Sequence, residues 1–136
     1  MAREDNEKGQ ENLAGNINEG NVDAAVESFA EDAVDHDPAP DQGPGRAGFH
    51  AFWSTMLAAF PDAHIEPRHE VVDDEHIVVA YTLTGTHDGE FQGIAPTGKK
   101  IEINGVQVAR FDDSGKIVER WGSSDELKLM QQIGGV

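Results

Sequence analysis

The sequence contains no cysteine, which removes disulfides, thiolate nucleophiles and thiolate metal sites together. Long apolar runs are missing too. No stretch approaches the roughly 18 residues that span a bilayer, and the polar segment Met1 to Gln10 lacks the apolar region of a secretory signal. A soluble, cytoplasmic protein is the expectation. Positive charge is scarce: 10 Lys plus Arg stand against 26 Asp plus Glu, a formal net charge of −16. Such a field repels phosphate backbones and anionic bilayers, so neither nucleic acid nor membrane is an expected partner. Several catalytic signatures are also absent. His36-Asp37-Pro38 and His87-Asp88 offer ligand atoms, but no HxH or HExxH spacing preorganises them, and no metal is expected. Ser54, Ser123 and Ser124 lack a GxSxG elbow. The run PTGKK at 96–100 lacks the Walker spacing and leads into a strand, so it is not a phosphate loop.

What is present suffices for one domain over residues 1–136. An apolar share of 38%, with six Phe, two Trp and one Tyr, supports a packed core. Leu13 and Ile17 mark a weakly amphipathic helix that Gly20 ends. From the N-cap candidate Asn21, the residues Val22, Ala25, Val26 and Phe29 follow helical spacing. A short extended piece, 33–37, runs into the breaker-rich loop PAPDQGPG. Phe49, Phe52, Trp53, Met56, Leu57 and Phe60 then repeat as a broad helical stripe until Pro61. Beyond Pro61 the period changes to two, predicting strands over 65–72, 76–87, 100–111 and 117–124, with turns at Asp73-Asp74-Glu75 and at Asp112 to Gly115. A short helix over 125–132 closes the chain. Helices first and hairpin-linked strands afterwards predict an α+β fold, an antiparallel sheet with helices on one face.

Residues two apart in a strand share a face, so a polar residue in an apolar register needs a reason. His87 continues the parity of Ile77, Val79, Tyr81 and Leu83. His36 shares a face with Val34, and Gln107 shares one with Ile101, Ile103, Ala109 and Phe111. A regular final strand gives Ile117, Glu119, Trp121, Ser123 and Asp125 one parity, placing Asp125 at the mouth of the Trp121 face. Each has a plain structural reading as well. An inward histidine is commonly a hydrogen-bonded core residue, Gln107 can satisfy backbone groups, and Asp125 before Glu126 reads as a helix cap worth about 1 kcal/mol.

The ordered string Gly85-Thr86-His87, Gly89, Phe91, Gly93, Pro96 to Lys99, Gly105, Arg110-Phe111, Gly115 to Ile117, Glu119, Trp121, Asp125 and Gln132 to Gly134 resembles the SnoaL-like polyketide cyclases and ester cyclases of the nuclear transport factor 2-like superfamily. His36 to Pro38, Gly45-Arg46 and Phe60 to Asp62 extend the likeness over about residues 15–134. The resemblance implies a cystatin-like α+β barrel, a cone made by a strongly curved antiparallel sheet and closed by N-terminal helices, with the site inside. It implies an acid/base aspartate four residues after a tryptophan, the spacing of Trp121 and Asp125. It further implies intramolecular aldol ring closure on a small apolar carbonyl or ester substrate, with no cofactor, in a homodimer or higher homo-oligomer. On this reading Asp125 is the base, while His87 and His36 orient the substrate or polarise its carbonyl. Trp53, Met56, Phe60, Phe91, Gln107 and Trp121 line the pocket. One strand departs from the cyclase pattern, which carries a histidine there, by presenting Gln107 followed by Ala109. A non-catalytic small-molecule-binding or stress protein is the competing expectation. Epoxide hydrolysis ranks third, because the Asp–Arg–Asp arrangement it needs finds Arg110 and Arg120 on the parity opposite Gln107 and Trp121.

Overall fold

Two tight turns organise the C-terminal half. Asp73 accepts from the amides of Glu75 and His76, and Asp112 accepts from those of Ser114 and Lys116, with Gly115 supplying φ of 81°. The computed structural model describes residues 2–136. In order it holds α1 (Ala2–Asn18), α2 (Val22–Val26), β1 (Phe29–Asp35), α3 (Gly45–Ala59), β2 (His64–Val72), β3 (His76–Thr86), β4 (Lys100–Phe111), β5 (Ile117–Ser124) and α4 (Glu126–Ile133). The strands form one curved sheet of order β1-β5-β4-β3-β2. The pairings from β2 through β5 are antiparallel, as expected, whereas β1 joins the edge parallel to β5.

Alternation in β3 and β4 gives the sheet an inner and an outer face. Ile77, Val79, Leu83, Ile101, Ile103, Ala109 and Phe111 are buried on the inner one. Leu13 and Ile17 of α1, Ala25 and Val26 of α2, and Phe49 of α3 pack on that face with Phe29, Ile77, Val79, Phe111 and Ile117. Farther along, Met56 and Phe60 join Leu83, Ile101 and Ile103 with Leu129 and Ile133 of α4. Trp53 and Tyr81 touch both clusters and mark the junction between them. Helices thus close the concave side, as the resemblance implied.

Phe29 corrects the predicted second helix. It opens β1 and stacks on Phe49 with ring centroids 3.8 Å apart. A buried strand residue three positions beyond Val26 continues a helical spacing by coincidence. The outer face leaves Val34, Val71 and Val106 exposed.

Candidate functional site

The geometry of the site is decided in β5. Phe111 pairs with Ile117 and Arg110 with Glu119, so Val118 is an extra residue in this strand. A bulge of this kind reverses the faces of everything beyond it. Arg120 therefore pairs with the fully buried Ala109, Gly122 with Gln107 and Ser124 with Gly105, all on the inner face. Trp121 pairs with Val108 and lies on the outer face. The uninterrupted parity expected from the sequence is corrected from Glu119 onward.

Inside the cone, Arg120 donates from Nη1 to Asp35 Oδ1 at 3.0 Å and from Nε to Gln107 Oε1 at 2.9 Å. Asp35 also accepts from the Asp37 amide and from Gln42 Nε2, each at 3.0 Å. Its side chain is 7% exposed and that of Arg120 19%. Held by these donors, Asp35 orients the guanidinium. Tyr81 stands on the same face. Burial pushes its phenol above the ordinary value, Arg120 opposes that shift, and Glu126 adds to it. Gln107 occupies the inward position expected of it.

The three residues expected to act together lie in three places. Asp125 is exposed and caps α4, its Oδ1 accepting from Lys128 N at 3.1 Å. Fully buried His87 receives the Thr97 amide on Nδ1 at 3.3 Å, with the Thr97 hydroxyl 2.9 Å from the same atom. That acceptor role leaves the proton on Nε2, which has no partner among the described residues. Its ring tilts against Phe60 at 5.6 Å, the arrangement of a core histidine. His36 lies on the outer face, stacked on Trp121 at 4.7 Å and bonded through Nε2 to Glu119 Oε2 at 2.8 Å. His36 and then Arg110 draw the Glu119 carboxyl below the ordinary glutamate value. Trp121 is consequently on the outside of the sheet. Met56 and Phe60 are buried core, Trp53 is half-buried, and Phe91 packs on Phe60 at 5.4 Å.

Two clefts, both open to solvent, have volumes of about 680 and 450 Å³. Asp125 borders the larger, together with Arg68, Thr82, Asn104 and Ser123. Among the described residues, no three His, Asp or Glu side chains gather as a metal site, and no helix is long and apolar enough to cross a membrane.

Sequence reasoning missed Asp35 and Gln42, set Arg120 on the face opposite Gln107 where the structure puts the two together, and placed Tyr81 inward without giving it a function. Parity signalled Tyr81. Nothing in the alternation reveals Arg120, because the bulge hides it.

The chain matches the family described as SnoaL-like polyketide cyclase over residues 10–133. No curated protein matches it. It is similar to IdmH, a candidate polyketide cyclase from Streptomyces antibioticus, at 30% identity over 95% of this chain and 98% of that one, with TM-score 0.80. It is similar to AclR, a candidate hydroxylase from Streptomyces galilaeus, at 25% identity over 98% of both chains, with TM-score 0.86. A candidate SnoaL-like polyketide cyclase from Jannaschia sp. CCS1 shares the fold at TM-score 0.86 and 22% identity, covering 99% of this chain and 95% of that one. With a family match over nearly its whole length and a shared architecture, the chain belongs to the SnoaL-like polyketide cyclases.

Proposed function

We propose that this chain catalyses cyclase-type proton transfer on a small carbonyl compound held against the inner face of the sheet. The observation carrying this reading is the Asp35–Arg120–Gln107 cluster, a guanidinium donor fixed by two acceptors inside an otherwise apolar cone. Asp125, the carboxylate that the resemblance assigns as base, takes a proton from the carbon between two carbonyl groups. The freed electron pair delocalises onto a carbonyl oxygen, and the enolate carbon attacks a ketone carbon in the same molecule. That attack forms the carbon–carbon bond, and the new alkoxide recovers the proton from the aspartic acid. Delocalisation within the substrate supplies the electron sink, so the chemistry calls for no metal or organic cofactor. Folding the substrate so that its two carbons meet is a proximity effect, and general base catalysis contributes typically about 10²–10⁴-fold.

A second reading, a non-catalytic binder using the same interior, is favoured by one observation: Asp125 is exposed and already bonded to the Lys128 amide. Asp125→Asn separates the two. With a linear polyketide-type β-keto ester and product analysis by mass spectrometry, the enzyme reading expects turnover that falls about 10²-fold or more in the variant. Unchanged turnover in Asp125→Asn defeats the proposed base. Ligand binding with no product from either protein establishes the binder. Epoxide hydrolysis ranks behind both, now for a different reason: Arg120 does face inward, but the amide Gln107 stands where a second acid is needed.

A further inference from the structure

Two glycines on the inner face make room for long polar side chains. A Cβ on Gly105 would overlap the Tyr81 hydroxyl, and one on Gly122 would overlap Nη2 of Arg120. Each of these long polar side chains thus lies over a glycine. Tyr81 and Gly105 are cross-strand partners, and Arg120 and Gly122 are same-face neighbours in β5. Gly105 pairs with Ser124 and Gly122 lies two residues before Ser124, so the two glycines are diagonal neighbours, about 7–8 Å apart.

Arg120 uses Nε and Nη1 on Gln107 and Asp35. Among the described residues, neither its Nη2 nor the Tyr81 hydroxyl has a protein acceptor, and neither atom is sealed from solvent as the orphaned Nε2 of His87 is. Two donors are therefore held by packing and hydrogen bonds, lean toward one region of the inner face, and remain reachable. We infer that the Tyr81 hydroxyl and the Nη2 edge of Arg120 form an oxyanion-binding pair, with Gly105 and Gly122 as the positions that keep it open.

The fitting ligand is a compound with a carbonyl oxygen that becomes an enolate, or a stable aryl oxide that imitates one. Preorganised donors aimed at developing oxygen charge stabilise it without reorganisation. The raised phenol value keeps the Tyr81 proton in place at neutral pH. Asp35 fixes the guanidinium plane from behind, making it a positioning residue. Trp53, which meets both core clusters as Tyr81 does, supplies an apolar wall at the same junction. The pair deepens the carbonyl reading above and rests on it for the identity of the substrate, while its affinity for an oxyanion is measurable without turnover.

The test is titration of the full chain with para-nitrophenolate, followed by absorbance, in about 1 M salt, where the Debye length of about 3 Å screens the acidic surface but not contacts in the cone. Saturable binding is expected. Tyr81→Phe should weaken it about tenfold to a hundredfold, the range of a hydrogen bond to a charged group. Gly122→Ala keeps every polar group and displaces the guanidinium edge, so it should weaken binding similarly. Arg120→Lys, which retains charge without the fork, should do the same while circular dichroism confirms folding. Absence of saturable binding to the wild type overturns the pair, as does equal affinity in Tyr81→Phe and Arg120→Lys. A wild type that binds phenolate but forms no product defeats only the catalytic reading. One that turns over but ignores phenolate defeats only the pair.

Discussion

At the scale of single residues, the helix cap that Asp125 forms and the base proposed for it can be separated by substitution. Its Oδ1 satisfies the Lys128 amide at the start of α4, and Asn caps a helix about as well as Asp does, whereas Ala does not. Asp125→Asn is therefore expected to unfold within a few tenths of a kcal/mol of the wild type, and Asp125→Ala about 1 kcal/mol sooner, as measured by urea denaturation. If the Asn variant matches the Ala variant, the cap is not what the carboxylate provides. His87 shows the limit of parity reasoning. Its inward direction follows from β3, but its partner Thr97 comes from a loop with no periodicity, so the pattern reveals burial and conceals satisfaction. His36 shares a face with Val34 as expected. That face carries Val34 at 48% exposure, however, and so is the outer one. Parity groups residues without saying which group is inside.

Among the elements, β4 and β5 begin and end at the residues the alternation predicts, 100–111 and 117–124. Strong period-two patterns between turn-forming residues leave little freedom in strand boundaries. The faces of β5 were not legible, because a bulge inserts one residue without leaving a Gly or Pro to announce it. Val118 looks like any strand valine. It is nonetheless the residue that sends Arg120 in and Trp121 out. Deleting Val118 would remove the extra residue and leave Glu119 opposite Arg110, Arg120 opposite Ala109 and Trp121 opposite Val108, so Arg120 stays beside Asp35. Turning Arg120 outward would instead break a buried ion pair, at about 3–5 kcal/mol. The expected outcome in thermal unfolding is a cooperative transition shifted by less than that. A deletion that abolishes the transition would contradict the register described above. The parallel pairing of β1 was hidden for a related reason, since strand order depends on long-range contacts that a local pattern does not encode.

For the whole molecule, a net charge of −16 in 136 residues means that the folded state works against its own field. The repulsion has a local focus where α1 lies along β2. The Glu70 carboxyl is raised above its ordinary value, first by burial and then by Glu7 and Glu11. A raised carboxylate binds its proton more tightly when folded, so the contribution of Glu70 to stability is fully present below its unfolded value of about 4.3 and is lost as pH rises through the folded one. At neutral pH it therefore stands against folding. Added salt should relieve both the focus and the general field, because the Debye length shrinks from about 10 Å at 0.1 M to about 3 Å at 1 M. The melting temperature is expected to climb across that range at pH 7. Glu70→Gln should melt higher than the wild type in low salt, by the roughly 2 °C that a surface-scale interaction of about 0.5 kcal/mol gives a domain of this size. That advantage should shrink at 1 M salt, which screens Glu7 and Glu11 but leaves the cost of burial, and should disappear at a pH low enough to protonate Glu70. A gain equal at every salt concentration and pH would trace the effect to packing, and would remove charge repulsion between α1 and β2 as its cause.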